Sequence, residues 1–94
     1  MCGFAGLLSR SELSSDIDQV LENMGLAIEH RGPDSGGIWS DAASGIGLSH
    51  RRLSIMDVSS HGAQPMRSVS GRYIIAFNGE IYNHIDLRDK LASE

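Results

Sequence analysis

Cys2 is the residue of this sequence that is best placed for covalent chemistry. Once Met1 is removed, Cys2 carries a thiol and a free α-amino group, whose pKa of about 7.7–8.0 lets it accept the thiol proton near neutral pH. One residue then supplies both the nucleophile and its base. While Met1 remains, the nitrogen of Cys2 is an amide and cannot act as a base. The alternative is a small buried hydrophobic residue, the usual role of a lone cysteine.

The dipeptide Asn78-Gly79 has two interpretations. Asn-Gly favours positive φ and is typical of a β-turn. The same pair also suits an oxyanion hole, in which the Asn side-chain amide and the Gly N–H both donate to a developing negative charge. Glu80 follows directly, and its carboxylate is either solvated or in contact with a ligand ammonium group.

The sequence His50-Arg51-Arg52 is a basic cluster within a strand-like segment. Two such arginines usually lie on a solvated face. An arginine turned inward can instead bind a carboxylate through two parallel hydrogen bonds. Because side chains alternate along a strand, Arg51 and Arg52 are expected to point to opposite faces, so that only one of them serves this purpose.

Residues 31–37 read Arg-Gly-Pro-Asp-Ser-Gly-Gly and are predicted to form a loop. The loop either only ends the preceding helix or lets the backbone pass close to a ligand or a nucleophile. It is not a phosphate-binding loop, because no Gly-Lys-Ser/Thr follows. The four histidines are irregularly spaced, which predicts structural or exposed roles and no metal site. They are His30, His50, His61 and His84.

Strands and helices must position these residues. Hydrophobic periodicity and turn residues predict these elements in the order β-α-β-β-β-α. Residues 17, 20, 21, 24 and 28 are apolar at helical spacing, and Ser15 with Asp18 forms a capping pattern. The predicted elements are a strand at 1–8, a helix at 15–31, strands at 38–40, 46–55 and 72–77, and a last helix capped by Asn83. Residues 57–71 are expected to be mostly irregular, and residues 72–77 show the clearest pattern of a buried strand.

Composition limits the class of protein. The chain has 94 residues and a net charge of −4, without the basic surplus of a nucleic-acid or anionic-membrane binder. No apolar run reaches the ~20 residues that span a bilayer, and no signal peptide is visible. One cysteine forms neither an internal disulfide nor a multi-cysteine zinc site. A soluble, intracellular protein is therefore expected, and the helical ending without a closing strand indicates a truncated domain.

Five motifs occur in order along the chain, and together they are specific. They are Cys2-Gly3, Arg31-Gly32-Pro33-Asp34, His50-Arg51-Arg52-Leu53-Ser54-Ile55, Gly62-Ala63-Gln64-Pro65-Met66 and Phe77-Asn78-Gly79-Glu80-Ile81-Tyr82-Asn83. The set resembles the glutaminase domain of glutamine-hydrolysing asparagine synthetases, which are class II glutamine amidotransferases with an N-terminal nucleophile. The resemblance covers residues 1–94 and identifies them as a partial class II glutamine amidotransferase domain.

The resemblance implies roles for individual residues. Cys2, as the mature N-terminus, attacks the side-chain amide of glutamine and forms a thioester. Asn78 and Gly79 form the oxyanion hole, Arg52 binds the α-carboxylate of glutamine, and Glu80 belongs to the same glutamine-binding segment. The remaining residues implied to line the glutamine pocket are Leu53, Ser54, Ile55 and Met56.

The resemblance also implies a fold and partners. The fold is α+β, the N-terminal part of a four-layer α/β/β/α sandwich of antiparallel sheets. Ammonia passes to a synthetase domain of the same full-length chain, and ATP and Mg are expected only there, with no cofactor in the glutaminase half. The expected partners are glutamine, that synthetase domain and a second copy of the chain, with no nucleic acid or membrane. The expected location is the cytoplasm.

Two other functions remain open from the sequence. One is a non-catalytic regulatory module with the same fold, against which the joint presence of Cys2, Arg52, Asn78 and Gly79 argues. The other is the glutaminase half of an amidotransferase that acts on another carboxylate, such as a sugar acid. The 94-residue chain alone is expected to be inactive, because Met1 is present and a later acidic motif is absent. It is also expected either to self-associate or to be only marginally folded, because its sheet lacks a covering layer.

Overall fold

The computed structural model describes residues 2–54 and 62–94 of the chain. These residues form an α+β structure with two antiparallel sheets, which confirms the α+β class and the antiparallel sheets of the expected fold. In chain order the elements are β1 (Gly3–Leu8), α1 (Ile17–Ala27), a 3-10 helix (Glu29–Arg31), β2 (Ser35–Asp41), β3 (Ile46–Arg52), β4 (Met66–Arg67), β5 (Ile74–Ile75) and α2 (His84–Ala92).

Strand β3 lies at the centre of the larger sheet, with β1 and β2 as its antiparallel neighbours. Arg51 is paired with Gly3 of β1 and with Gly36 of β2. Residues that face each other across these ladders share one face of the sheet, and the next position along each strand belongs to the other face. Arg51 therefore lies on one face, whereas His50 and its partner Gly37 lie on the opposite face.

Helix α1 covers the face of the sheet that carries Arg51. Its buried residues Ile17, Leu21 and Gly25 are spaced four apart, so they form one stripe. Leu21 is fully buried. A Cβ atom on Gly47 of β3 would lie 3.0 Å from Leu21 Cδ1, so the absence of a side chain at this position lets the helix pack closely. The packed stripe is narrower than predicted, because Val20 is 37% exposed.

The helix ends also differ from the prediction. Helix α1 begins at Ile17 and ends at Ala27, and Asp16 at its N-cap makes no side-chain cap hydrogen bond. The predicted capping pattern is therefore not formed. Asn83 does occupy the N-cap position of α2, but again without a side-chain cap hydrogen bond. None of the helices in the described part of the chain is long and apolar enough to cross a membrane.

The opposite face of the larger sheet is only partly covered. Phe4 and Leu8 of β1 are 50% and 80% exposed, and the paired residues Trp39 and Leu48 are half-buried. Near the Arg51–Arg52 end of β3, the segment 62–65 lies against this face, because its Gln64 backbone contacts the Gly37 position. An apolar sheet face of this kind is what a second sheet covers in a β-sandwich.

Two predicted strands of the larger sheet have different limits in the structure. Strand β3 ends at Arg52, because Leu53 and Ser54 donate their N–H groups to the side chains of Cys2 and Asp34 instead of to a neighbouring strand. Ile55, the predicted end of this strand, lies outside the described residues. Strand β2 begins at Ser35 rather than at residue 38, so the last part of the predicted loop is strand.

The prediction of a well-buried strand at residues 72–77 was wrong. Strand β5 spans Ile74–Ile75 and pairs with β4 in a two-stranded sheet. Tyr73, Ile75 and Phe77 are 64%, 55% and 41% exposed. Burial of an apolar strand depends on the layer that packs against it, which the strand's own sequence does not determine. Helix α2 likewise has no buried residue.

Candidate active site

The Cys2 side chain is held against the backbone that follows β3. Its Sγ accepts a hydrogen bond from the N–H of Leu53 over 3.3 Å, and the thiol donates to the Leu53 carbonyl oxygen over 3.6 Å. The carbonyl oxygen of Cys2 accepts a hydrogen bond from Arg31 Nε over 3.2 Å. Both the side chain and the backbone of Cys2 are thus fixed by the fold. The half-buried thiol lies beside the residue that follows Arg52.

The Arg-Gly-Pro-Asp motif provides the support for this arrangement. Arg31 binds the backbone of Cys2, and the Asp34 N–H donates to the carbonyl oxygen of Arg52 over 3.1 Å. Asp34 Oδ2 accepts the N–H of Ser54 over 2.8 Å. The loop therefore does more than end a helix, because it binds the backbone of Cys2 and the backbone of Arg52 and Ser54 at the start of the predicted glutamine pocket. Sequence reasoning assigned no individual role to Arg31 or Asp34.

The two neighbouring arginines point to opposite faces of the sheet, as strand alternation predicts. Arg51 lies on the helix side, where its Nε donates to the Gly32 carbonyl oxygen over 2.9 Å. Its Nη2 lies 3.7 Å from Glu29 Oε1. Arg52 lies on the other face and is 8% exposed, and a Cβ on Gly62 would lie 2.9 Å from its Cζ. Arg51 is therefore engaged in structural contacts, and Arg52 is on the side toward residues 62–65.

His50 lies on the same face of the sheet as its partner Gly37, against which the Gln64 backbone packs, and it is 1% exposed. Neither ring nitrogen makes a hydrogen bond with any described residue. Burial lowers the pKa of His50 below its usual 6.5, and the positive charge of Arg52 acts in the same direction. The nearby backbone of Phe77 opposes part of this shift. Burial therefore favours the neutral form of the His50 imidazole, which lies two positions before the predicted carboxylate-binding Arg52 in the sequence.

The segment 62–65 connects Arg52 to the residues before Asn78. Gly62 adjoins the Arg52 guanidinium, and the backbone of Gln64 packs against Gly37 of β2. Gln64 Oε1 accepts a hydrogen bond from the N–H of Phe77 over 2.6 Å. Phe77 precedes Asn78 directly, so a continuous series of contacts runs from the sheet to the predicted oxyanion segment.

Asn78, Gly79 and Glu80 are exposed and lie between β5 and α2. Within residues 2–54 and 62–94 positive φ occurs only at Gly45 and Gly71, so Asn78-Gly79 is not the positive-φ turn that the sequence left open. An open depression lies beside this segment, lined by Gly79, Glu80, Ile81, Tyr82 and His84. No hydrogen bond between described residues joins Asn78 or Gly79 to Cys2.

The structure places Leu53 next to Cys2 through its backbone N–H, whereas the N–H of Ser54 binds the side chain of Asp34. Ile55 and Met56, the other two residues predicted to line the pocket, lie outside the described residues. In the described part of the chain, no group of three or more His, Cys, Asp or Glu residues is close enough to hold a metal ion.

Comparison with known proteins identifies the family. A family model described as a glutamine amidotransferase domain matches residues 1–94. Glutamine-hydrolysing asparagine synthetase 1 of Bacillus subtilis (strain 168) is 45% identical over 96 residues, which cover 100% of this chain and 15% of that protein. The synthetase of the same name from Saccharomyces cerevisiae is 39% identical over 98% of this chain and 15% of its own length. Amidase chry2 of Gibberella zeae is 37% identical over 100% of this chain and 15% of its own length.

The similarity is confined to a small part of each relative, since the chain spans about one seventh of the length of these three proteins. In each case, however, nearly all of this chain is aligned. The family model covers the same residues, including every motif that carried the resemblance. The chain belongs to the glutamine amidotransferase domain family.

Proposed function

We propose that this chain supplies the glutaminase reaction of a larger glutamine-dependent amidotransferase. The observation that supports the proposal most directly is the placement of Cys2, whose thiol is held by Leu53 and whose carbonyl is held by Arg31. A nucleophile fixed in this way has few orientations left, so less conformational freedom is lost when it attacks the substrate.

The proposed reaction proceeds through a thioester. With Met1 removed, the α-amine of Cys2 takes the thiol proton, and the sulfur attacks the side-chain amide carbon of glutamine. The tetrahedral intermediate collapses when its C–N bond breaks and the nitrogen accepts that proton, which releases ammonia. Water then attacks the thioester carbon, the C–S bond breaks, and glutamate and the free thiol are formed. These steps balance in protons and electrons, so this half-reaction requires no cofactor.

The remaining site residues have proposed roles in binding. Arg52 binds the α-carboxylate of glutamine, and the burial of its own side chain on the face of β3 opposite to α1 supports this role. Asn78 and Gly79 donate hydrogen bonds to the oxyanion, and Glu80 lies in the same segment. Leu53 and Ser54 contribute to the wall of the pocket next to Cys2, and we assign Ile55 and Met56 to the same wall.

We further propose that the ammonia is used by an ATP- and Mg-dependent synthetase domain in the rest of a longer chain. The names of two relatives indicate asparagine as the product. Amidase chry2, which is similar over the same residues, has a different name, so the acceptor is chosen outside this domain. A partly covered sheet face with exposed Phe4 and Leu8 supports the complete four-layer sandwich as the fold of the whole domain. The cytoplasmic location also stays a prediction.

Replacement of Cys2 by alanine tests the proposal in the full-length product of the gene. Cys2→Ala should abolish product formation from glutamine but retain product formation from added ammonia, because ammonia bypasses the thioester. Leu26→Ala, which changes an exposed residue of α1, is the control and should retain both activities. Glutamine-dependent turnover in Cys2→Ala would contradict the role of Cys2. Failure of wild-type protein to release glutamate from glutamine would favour the non-catalytic regulatory module.

A further inference from the structure

Gln64 lies between the large sheet and the predicted oxyanion segment and has no role in the reaction proposed above. We propose that Gln64 is a positioning residue, which holds Asn78 and Gly79 in place by binding the backbone of Phe77. This inference rests on the proposed glutaminase function, because it concerns the geometry of the oxyanion hole.

The first support is the hydrogen bond from Phe77 to Gln64. Strand β5 ends at Ile75, so the N–H of Phe77 is not part of a β-ladder. It donates instead to Gln64 Oε1 over 2.6 Å. The group that fixes Phe77 is therefore a side chain from a segment 13 positions earlier. Asn78 is the next residue, so a shift of the Phe77 backbone also moves Asn78.

The second support is that Gln64 itself is fixed to the sheet. Its carbonyl group packs so closely against Gly37 of β2 that a Cβ at this position would lie 3.2 Å from the Gln64 carbonyl carbon and closer still to the oxygen. Gly37 pairs with His50 in the β2–β3 ladder. The Gln64 side chain thus extends from a backbone that is anchored on the same sheet as Arg52.

Such positioning has a direct effect on the rate of reaction. An oxyanion-hole donor acts when it lies 2.7–3.1 Å from the oxyanion, and a misplacement of about 1 Å costs up to about 10²-fold in rate. Asn78 is exposed and makes no hydrogen bond to Cys2 in the described structure. The tether from Gln64 to Phe77 is the described contact that limits how far Asn78 can move relative to the sheet.

Two substitutions separate this role from a general structural one. Gln64→Met has nearly the same length but no acceptor, whereas Gln64→Glu keeps an oxygen at the position of Oε1. Both are made in the full-length gene product. The readouts are glutaminase kcat and KM, product formation from added ammonia, and the hydrogen-exchange rate of the peptide that contains Phe77. Ammonia-dependent activity serves as the measure of correct folding.

Gln64→Met should lower glutaminase kcat by about 10- to 100-fold, change KM by less than about threefold, and accelerate exchange at Phe77. Gln64→Glu should remain within about threefold of wild type in kcat and exchange slowly, because the acceptor is kept. Unchanged exchange at Phe77 in Gln64→Met would overturn the tether. Faster exchange with unchanged kcat would overturn its effect on the oxyanion segment. If wild-type protein hydrolyses no glutamine, the proposed function fails, and the exchange measurement still decides whether the tether exists.

Discussion

Substitution of Gly37 by alanine is expected to displace the segment 62–65 from the sheet. The added Cβ would lie less than 3.0 Å from the Gln64 carbonyl oxygen, whereas ordinary contact begins at 3.4 Å. The Gln64 backbone must therefore move by more than 0.4 Å. Because the nearest atoms belong to the backbone, no rotation of a side chain relieves the overlap. The hydrogen bond from Phe77 to Gln64 Oε1 is then lengthened from its present 2.6 Å.

Two opposing effects determine the size of the change. Overpacking of this kind typically costs about 1–3 kcal/mol. Replacement of glycine by alanine also restricts the unfolded chain and stabilises the native state by about 0.4–1 kcal/mol. The net change therefore falls between about 0 and about 2.6 kcal/mol of destabilisation. Local undocking of residues 62–65 is the least costly way to relieve the strain.

Gly6→Ala is a matched control on the same face of the sheet. A Cβ at Gly6 would meet the flexible end of Leu48, with Cδ2 at 3.3 Å, so only a small side-chain adjustment is needed. The assays are thermal unfolding and hydrogen exchange of the peptides that contain Gln64 and Phe77. Gly37→Ala should unfold at a lower temperature than Gly6→Ala and exchange faster in both peptides. Equal midpoint temperatures of unfolding and equal hydrogen-exchange rates in the two variants would refute the contact between the Gln64 backbone and β2.

Three further substitutions test the proposed site. Asn78→Ala should lower glutaminase kcat by about 10²–10³-fold, with little change in KM, because one oxyanion donor is lost; an unchanged kcat in steady-state assays would contradict this role. Arg52→Lys should raise KM for glutamine far more than Arg51→Lys, because a lysine keeps the charge but loses the paired hydrogen bonds. Equal effects of the two substitutions on KM would mean that the carboxylate is bound elsewhere. For His50, burial lowers the pKa in the folded protein below 6.5. The contribution of His50 to the free energy of unfolding is therefore complete above about pH 6.5. This contribution is lost as the pH falls from there through the folded-state pKa, at no more than about 1.4 kcal/mol per pH unit. Urea unfolding should show that His50→Gln flattens this dependence, whereas the exposed control His84→Gln should not, and identical slopes would remove His50 as the cause.

Local patterns predicted the parts of the site that depend on neighbouring residues. Strand alternation was sufficient to separate Arg51 from Arg52, since the separation needs only the direction of successive side chains. The spacing of Ile17 and Leu21 was sufficient for the buried stripe of α1. Such predictions hold because the energetically important contacts repeat at a fixed period along the chain.

The contacts that assemble the site could not be predicted in the same way. Arg31 binds the backbone of Cys2 across a separation of 29 residues, and Gln64 binds Phe77 across 13 residues. No periodic pattern links these pairs, since each contact joins residues that are far apart in the sequence. The prediction of a well-buried strand at residues 72–77 was wrong for a related reason. Their composition predicted burial, but exposure depends on which layer covers β5.

The position of β1 in the sheet affects the order of events during synthesis. Strand β1 pairs with β3 and not with β2, and Cys2 meets Leu53 across 51 positions of the chain. At about 5–20 residues per second, a ribosome takes about 3–10 s to add this length. Throughout that interval the first strand has no partner, and its N-terminal residues are accessible to other enzymes. The proposed chemistry requires removal of Met1. This removal can therefore occur before β1 pairs with β3 and before Arg31 and Leu53 form their hydrogen bonds with Cys2.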